Sequence, residues 1–197
     1  MIYAQGLRMP SPAIFLDRDG TIIVEKNYPS DPDQVALLPG AVDGLKSMAR
    51  RGFPLVVVSN QSGIGRGYFS VEQADAVQDR VRDLLAREGV EIAGWYRCPH
   101  APGEECACRK PSPGMIQDAA RDLDLDPARS FVIGDKWSDV ELAAAVGAAG
   151  LLVVTGHGYL DAERARDEGV PICRDLLDAS GEIDRLLALQ DVARSAL

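Results

Sequence analysis

Two aspartates one residue apart, Asp17 and Asp19, follow directly on the apolar run 13–16 (AIFL). Residues at spacing two in an extended chain point to the same side, so both carboxylates, or one carboxylate and a neighbouring carbonyl, could meet one cation. A third carboxylate, Asp135, follows another apolar run, FVI. Hard oxygen ligands with no histidine beside them suit Mg²⁺, which shares its remaining positions with water and phosphate. The alternative for DRDGT alone is an Asx turn without a metal.

A second group of metal-binding residue types lies in CPHAPGEECACRK, in two pairs at spacing two: Cys98 with His100, and Cys106 with Cys108. Three thiolates and one imidazole form a closed tetrahedral Zn²⁺ site, and this predicts a structural zinc because no position is left for water. The alternatives are buried free thiols or a disulfide. Reducing conditions in the cytosol disfavour the disulfide, and the acidic residues of the loop disfavour a core position.

Short apolar runs alternate with longer segments of helical period along the chain. The strands are predicted at 13–16, 54–58, 130–133 and 150–154, with one more short strand within 170–177. The helices are predicted at 41–51, 70–89, 113–125, 138–149 and 180–196, with Ser70 as one N-cap and Ser138 or Asp139 as another. The alternation predicts a single α/β domain over residues 1–197, with a doubly wound, mainly parallel sheet between two helical layers.

Three of these strands end in polar clusters, which are DRDGT, SNQSG and GDKWSD. In an open α/β sheet the carboxyl ends of the strands face the ligand crevice. Each cluster alone could be a turn or a helix cap, but a turn does not require all three at one edge. The coincidence favours a functional site there.

Composition limits the partners. The net charge of -9 opposes binding to nucleic acid. The first residues contain neither a leader-like pattern nor a membrane span, and three of the four cysteines are clustered, unlike the spread framework of a secreted disulfide protein. We therefore expect a soluble, cytoplasmic protein, with a monomer as the working assumption.

The segments FLDRDGT, VVSNQSGIGRG, CRKPSPGM and VIGDKWSDV resemble, in order, the four motifs of the haloacid dehalogenase (HAD) phosphatase superfamily. With the Cys/His cluster, they are most similar to the heptose bisphosphate phosphatase family, and next to the related histidinol-phosphatases. The stretch VEKNYPSDPDQ is too short to hold an inserted cap domain, so the chain resembles the capless branch of the superfamily.

The resemblance implies roles for individual residues. Asp17 would be the nucleophile, and Asp19 the general acid, with its backbone carbonyl on Mg²⁺. Ser59 and Lys110 would hold the transferring phosphoryl group, and Asp135 would complete the magnesium site.

Four further residues, Asn60, Gln61, Arg109 and Lys136, are expected on the substrate side, with Arg109 contacting the substrate outside the reacting phosphate. The motif's other carboxylate, Asp139, would orient the site without binding the metal. The zinc would shape a loop that faces the substrate. Cys173 is interpreted as a small buried apolar residue, and His157 as a loop residue outside the site.

The resemblance thus implies a Mg²⁺-dependent phosphatase for the 7-phosphate of D-glycero-D-manno-heptose 1,7-bisphosphate. Such an enzyme would serve the biosynthesis of nucleotide-activated heptose for lipopolysaccharide core or a related glycan. The partner would be a small phosphorylated molecule, with no nucleic acid and no membrane. The alternatives are a histidinol-phosphatase and a zinc-binding interaction module without catalytic activity.

Overall fold

The computed structural model describes residues 9–195, and its centre is a six-stranded parallel sheet of order β3-β2-β1-β4-β5-β6. The strands are β1 (Ile14–Leu16), β2 (Leu55–Asn60), β3 (Gly94–Cys98), β4 (Phe131–Gly134), β5 (Ala149–Val153) and β6 (Ile172–Cys173). The strand order changes direction between β1 and β4. A crevice is therefore expected at the carboxyl ends of these two strands, where the connections leave to opposite sides.

Helices cover both faces of the sheet. They are α1 (Ala41–Arg50), α2 (Val71–Arg87), α3 (Gly114–Leu123), α4 (Trp137–Val146), α5 (Ala162–Asp167) and α6 (Leu176–Ser195). Ile14 and Leu16 pack in one core with residues of α1, α2 and α6, whereas Phe15 packs in a second core with residues of α3 and α4. Strand residues alternate between faces, so both faces of β1 are buried, and the predicted three-layer α/β/α fold is confirmed.

The four main strands lie where the sequence predicts them, but β3 was missed. Its sequence, GWYRC, lies at the edge of the sheet, and only Cys98 within it is fully buried, so the continuous apolar run of a central strand is absent. The predicted cap of α4 is also wrong. The helix begins after Lys136, whose N–H donates to the Asp139 carboxylate over 3.1 Å, so Asp139 supports the helix from its first turn. Helix α6 begins at Leu176, before the predicted start at 180, and residue 196 lies outside the described residues.

The segment between β1 and α1 folds back on itself without forming an inserted domain. It contains one short 3-10 turn, Pro32–Gln34, and an antiparallel bridge between Ile23 and Leu37. The capless arrangement is therefore confirmed for this segment. Within residues 9–195, the structure contains no helix with the length and apolar character needed to span a bilayer.

Candidate active site

A cleft of about 350 Å³ opens at the carboxyl ends of β1 and β2. The residues of the predicted site that line it are Asp17, Asp19, Asn60, Gln61, Arg109, Lys110 and Lys136. Ser59 is buried near the end of β2, and Asp135 is buried directly after the end of β4. The crossovers of the parallel sheet thus bring together residues that are more than a hundred positions apart in sequence.

Three carboxylates meet beneath this cleft, because Asp17, Asp135 and Asp139 each offer an oxygen within 4.8 Å of the others. The Asp135 Oδ2 atom accepts a hydrogen bond from the His157 N–H over 2.7 Å, but the buried Oδ1 atom has no hydrogen-bond donor. Lys136 Nζ lies 3.8 Å from this Oδ1 atom, beyond hydrogen-bond distance. A buried carboxylate oxygen that accepts no hydrogen bond is costly unless a cation fills the position. The donor set is therefore suited to a hard divalent cation such as Mg²⁺.

Two glycines allow the backbone to approach Asp135 closely. A Cβ atom on Gly20 or Gly156 would overlap the Asp135 carboxylate, and both glycines adopt left-handed conformations, with φ of +82° and +55°. A side chain at either position would push the carboxylate out of the group and strain the backbone. Gly20 of DRDGT therefore leaves room for the Asp135 carboxylate and also provides the left-handed conformation of the turn.

Lys110 supplies a buried cation to the same group. Its Nζ atom lies 2.8 Å from Asp17 Oδ1 and 2.7 Å from Asp139 Oδ1, and it donates to the Val58 carbonyl over 3.0 Å. Burial alone would lower the pKa of Lys110, but the charges of Asp139 and Asp17 outweigh it and raise this pKa above its ordinary value. The ammonium group therefore remains charged across the physiological pH range.

The carboxylates respond differently to their surroundings. Burial opposes ionisation of Asp17, yet Lys110 and Lys136 hold the pKa of Asp17 below its ordinary value. Burial and the neighbouring Asp17 charge raise the pKa of Asp135 to about 7 in the absence of a metal. Asp17, ionised at neutral pH, therefore lies beside a carboxyl group that is partly protonated at neutral pH, and a bound cation would favour its ionised form.

The Asp19 side chain does not join the three carboxylates. Arg18 donates to both of its oxygens, over 3.1 Å and 2.9 Å, and Gln61 donates to Asp19 Oδ2 over 2.8 Å. The sequence spacing allowed the side chains of both Asp17 and Asp19 to meet one cation. In the structure the Asp139 side chain, and not that of Asp19, lies with Asp17 and Asp135. The contribution of the Asp19 backbone carbonyl to the metal remains a prediction from the family resemblance.

Gln61 joins the residues at the ends of β1 and β2 by hydrogen bonds. Its Nε2 atom donates to Ser59 Oγ over 2.7 Å as well as to Asp19, and its Oε1 atom accepts from Arg18 over 3.0 Å. Because the Ser59 oxygen accepts from Gln61, the hydroxyl hydrogen is available to an acceptor such as a phosphate oxygen.

The four predicted zinc ligands lie together, as their spacing indicates. Cys98 Sγ is 3.4 Å from His100 Nδ1 and 3.7 Å from Cys106 Sγ, and Cys108 Sγ is 3.3 Å from the same His100 nitrogen. All four cysteines of the chain are free thiols, so the disulfide alternative is not realised, and Cys173 is buried in β6 as expected. Burial raises the pKa of Cys98, so a bound cation is needed to keep this thiol ionised.

The loop that carries these ligands connects directly to the cleft. Gly65, in the turn after β2, donates its N–H to the Pro99 carbonyl over 2.9 Å, and Arg109 donates to the His100 carbonyl over 3.3 Å. Lys110 follows Cys108 by two residues. A metal bound by the loop would therefore also restrain the cation that faces Asp17.

We expect purified protein to retain close to one Zn²⁺ per chain through dialysis, whereas Mg²⁺ must be supplied. A closed thiolate site releases metal slowly, and a partly hydrated carboxylate site exchanges it. Metal analysis by mass spectrometry measures both ions. Cys106→Ser should lose the zinc and melt at a lower temperature, with Cys173→Ser as the matched control that retains it. Folded, active wild-type protein without zinc would contradict the assignment.

Sequence reasoning missed several residues of the cleft wall. Glu25 lies 3.3 Å from Lys136 Nζ and 3.9 Å from the His157 ring, and His157 itself lines the cleft. Tyr28 also lines it, and its ring packs edge-on against Tyr68 with the centroids 5.0 Å apart. The available signal was the position of VEKNYP, which two residues separate from the DRDGT turn. Its polar composition is equally typical of a solvated loop.

Comparisons with known proteins point to one family. A family model described as HAD-hydrolase-like matches residues 107–179. A D-glycero-beta-D-manno-heptose-1,7-bisphosphate 7-phosphatase of Yersinia pestis is 43% identical over 154 residues, which are 74% of this chain and 81% of that protein. One from Mesorhizobium japonicum is 41% identical, over 93% of this chain and 84% of that protein. The crystal structure of the D,D-heptose 1,7-bisphosphate phosphatase of Bordetella bronchiseptica, complexed with magnesium and phosphate, superposes with a TM-score of 0.81 at 34% identity, covering 88% of this chain and 98% of that one.

Proposed function

The chain belongs to the D-glycero-beta-D-manno-heptose-1,7-bisphosphate 7-phosphatase family of HAD-like hydrolases, and on this premise we propose that it removes the 7-phosphate from that sugar bisphosphate. The observation that carries the chemistry is the contact of Lys110 Nζ with Asp17 Oδ1 at 2.8 Å on the cleft floor. This contact supports the proposal that Asp17 is an ionised nucleophile with a fixed cation beside the phosphoryl group. A zinc-binding interaction module would not require this arrangement.

In the first step, a carboxylate oxygen of Asp17 attacks phosphorus, and the bond from phosphorus to the sugar oxygen breaks. Asp17 becomes an aspartyl phosphate, and the leaving oxygen takes a proton from Asp19. Lys110 and the Ser59 hydroxyl stabilise the negative charge on the equatorial oxygens in the transition state.

In the second step, water attacks the aspartyl phosphate, and Asp19 takes up the proton that the water loses. The products are inorganic phosphate and the regenerated Asp17 carboxylate, so Asp19 acts first as an acid and then as a base. Arg18 and Gln61 hold the Asp19 carboxylate at the cleft wall between these two transfers.

The residues that would hold Mg²⁺ are Asp17, Asp135 and the backbone carbonyl of Asp19. The bound cation supplies neutralisation of the phosphate charge and orientation of its oxygens. Asp139, held 2.7 Å from Lys110 Nζ, orients the lysine and leaves Asp135 free for the metal.

Selectivity for a bisphosphate follows from the cations at the opening. Arg109 lines the cleft beside Lys110, and a guanidinium group there suits the phosphate that does not react. Histidinol phosphate has no second phosphate and carries a cationic amine and an imidazole, which the same guanidinium group would repel. We place the reaction in the cytoplasm, where four free thiols remain reduced, and we expect the catalytic unit to be a monomer.

The test is hydrolysis of D-glycero-D-manno-heptose 1,7-bisphosphate with Mg²⁺, followed by phosphorus NMR. We expect release of the 7-phosphate with the 1-phosphate retained, and a kcat/KM at least about 100-fold above that for histidinol phosphate, because one charge-assisted contact is replaced by repulsion. More efficient turnover of histidinol phosphate would overturn the substrate assignment.

Arg109→Ala should reduce this preference while leaving slow hydrolysis of a simple alkyl phosphate unchanged. The matched control is Arg129→Ala, which removes an exposed arginine from the turn before β4. This turn lies at the amino ends of the strands, opposite the cleft. An unchanged preference in Arg109→Ala would show that another group binds the second phosphate.

A further inference from the structure

The side chain of Asn60 is paired with the backbone of Lys110. The Lys110 N–H donates to Asn60 Oδ1 over 3.0 Å, and Asn60 Nδ2 donates to the Lys110 carbonyl over 3.2 Å. One amide side chain thus satisfies both polar groups of one residue, as a neighbouring strand would do. The two residues are separated by 50 positions in sequence.

Lys110 lies in a segment without regular secondary structure, between the zinc ligand Cys108 and the start of α3. Such a segment has no strand or helix partner to define the path of its backbone. The Lys110 side chain must nevertheless deliver Nζ to within 3 Å of both Asp17 and Asp139. A small displacement of the backbone would move the cation away from the nucleophile, and catalytic rates are sensitive to errors of this size.

Strand β2 binds both the backbone and the ammonium group of Lys110. Asn60, the last residue of β2, binds the lysine backbone, and the carbonyl of Val58 on the same strand accepts from Lys110 Nζ over 3.0 Å. The strand backbone at Asn60 is also in register with Cys98 on β3. The end of β2 therefore connects the first zinc ligand, Cys98, with the catalytic lysine.

We propose that Asn60 is a positioning residue whose side chain fixes Lys110 against Asp17, and that its effect on the reaction passes through the lysine. This inference rests on the proposed phosphatase function. It assigns the Asn60 amide group to the Lys110 backbone, although Asn60 also lines the cleft.

The experiment is a double-mutant cycle with a simple alkyl phosphate as substrate. Asn60→Ala should lower kcat/KM by about 30-fold in the wild-type background and by less than about 3-fold in Lys110→Met, because a residue acting through Lys110 has nothing to position once the ammonium is gone. Asn60→Asp retains the shape and the acceptor but sets an oxygen against the Lys110 carbonyl, so it should resemble Asn60→Ala. It also serves as the second variant if Asn60→Ala does not fold.

Gln34→Ala is the control, since Gln34 is an exposed amide residue of a 3-10 turn outside the cleft, and it should leave kcat/KM unchanged. Equal losses for Asn60→Ala in both backgrounds would overturn the inference and assign Asn60 a direct contact with substrate. No loss in either background would overturn it as well.

Binding of inorganic phosphate in the presence of Mg²⁺, measured by calorimetry, separates this inference from the proposed function. If wild-type protein hydrolyses no phosphomonoester, the proposed function fails. The dissociation constant of phosphate can still be measured for the four proteins of the double-mutant cycle. These constants decide whether Asn60 acts through Lys110, because phosphate binding depends on the lysine charge and not on turnover.

Discussion

Asp17→Asn should abolish turnover, with a loss of at least about 10⁴-fold in kcat, because an amide cannot attack phosphorus. Its near-identical size should preserve the fold. Initial rates and trapping of a labelled phosphoenzyme measure the effect. Wild-type protein should incorporate phosphate in an acid-stable, hydroxylamine-sensitive form, and the variant should incorporate none.

Asp43→Asn provides the matched control for this result, since Asp43 is exposed on α1 and should not affect the rate. Asp19→Asn should also lower turnover strongly, because the amide cannot exchange a proton with the leaving group or with water. Its loss should be smaller for a substrate with an acidic leaving group, such as 4-nitrophenyl phosphate, which needs no acid. Substantial activity of Asp17→Asn would rule out the covalent mechanism.

Lys110→Met should lower kcat/KM by about 10³-fold, the loss typical when one fixed donor to a transition-state oxyanion is removed. It should also destabilise the metal-free protein by about 3–5 kcal/mol at neutral pH, because two buried carboxylates lose the cation that compensates them. Steady-state kinetics and denaturant unfolding with EDTA measure the two effects.

The pH dependence of that destabilisation tests its cause. Lys110 helps to hold the pKa of Asp17 below its ordinary value, so this ionised carboxylate stabilises the wild-type fold above its unfolded-state pKa, and the contribution is lost as pH falls. Without the lysine, the buried carboxylates of Asp17 and Asp139 favour their protonated forms. The stability gap between wild type and variant should therefore be large at neutral pH and narrow on acidification. A gap that does not vary with pH would indicate lost packing alone.

The control for Lys110→Met is Lys46→Met, at a partly exposed lysine of α1 that lies 3.6 Å from Glu88. An exposed pair of this kind contributes little. Lys110→Arg should not restore activity, because a planar guanidinium does not fit the buried space of an ammonium held by three oxygens.

The amino-acid sequence alone determined the fold class, the four members of the Cys/His group and the strand ends at which the carboxylate group lies. The alternation of apolar runs and helical segments can be read locally and predicts parallel strands. Parallel strands bring the polar clusters at three strand ends to the same end of the sheet. The cysteine and histidine pairs are close in sequence, so their spacing was sufficient to group Cys98, His100, Cys106 and Cys108. Strand β3 was missed because an edge strand does not need a continuous apolar run.

Only the tertiary structure decided which side chains are partners. Asp139, and not the Asp19 side chain, joins Asp17 and Asp135, and Asn60 is paired with the backbone of Lys110. These contacts join residues that the crossovers of the sheet bring together from distant positions. A side chain's partner depends on the distances and burial that result, and neither has a local signature in the sequence.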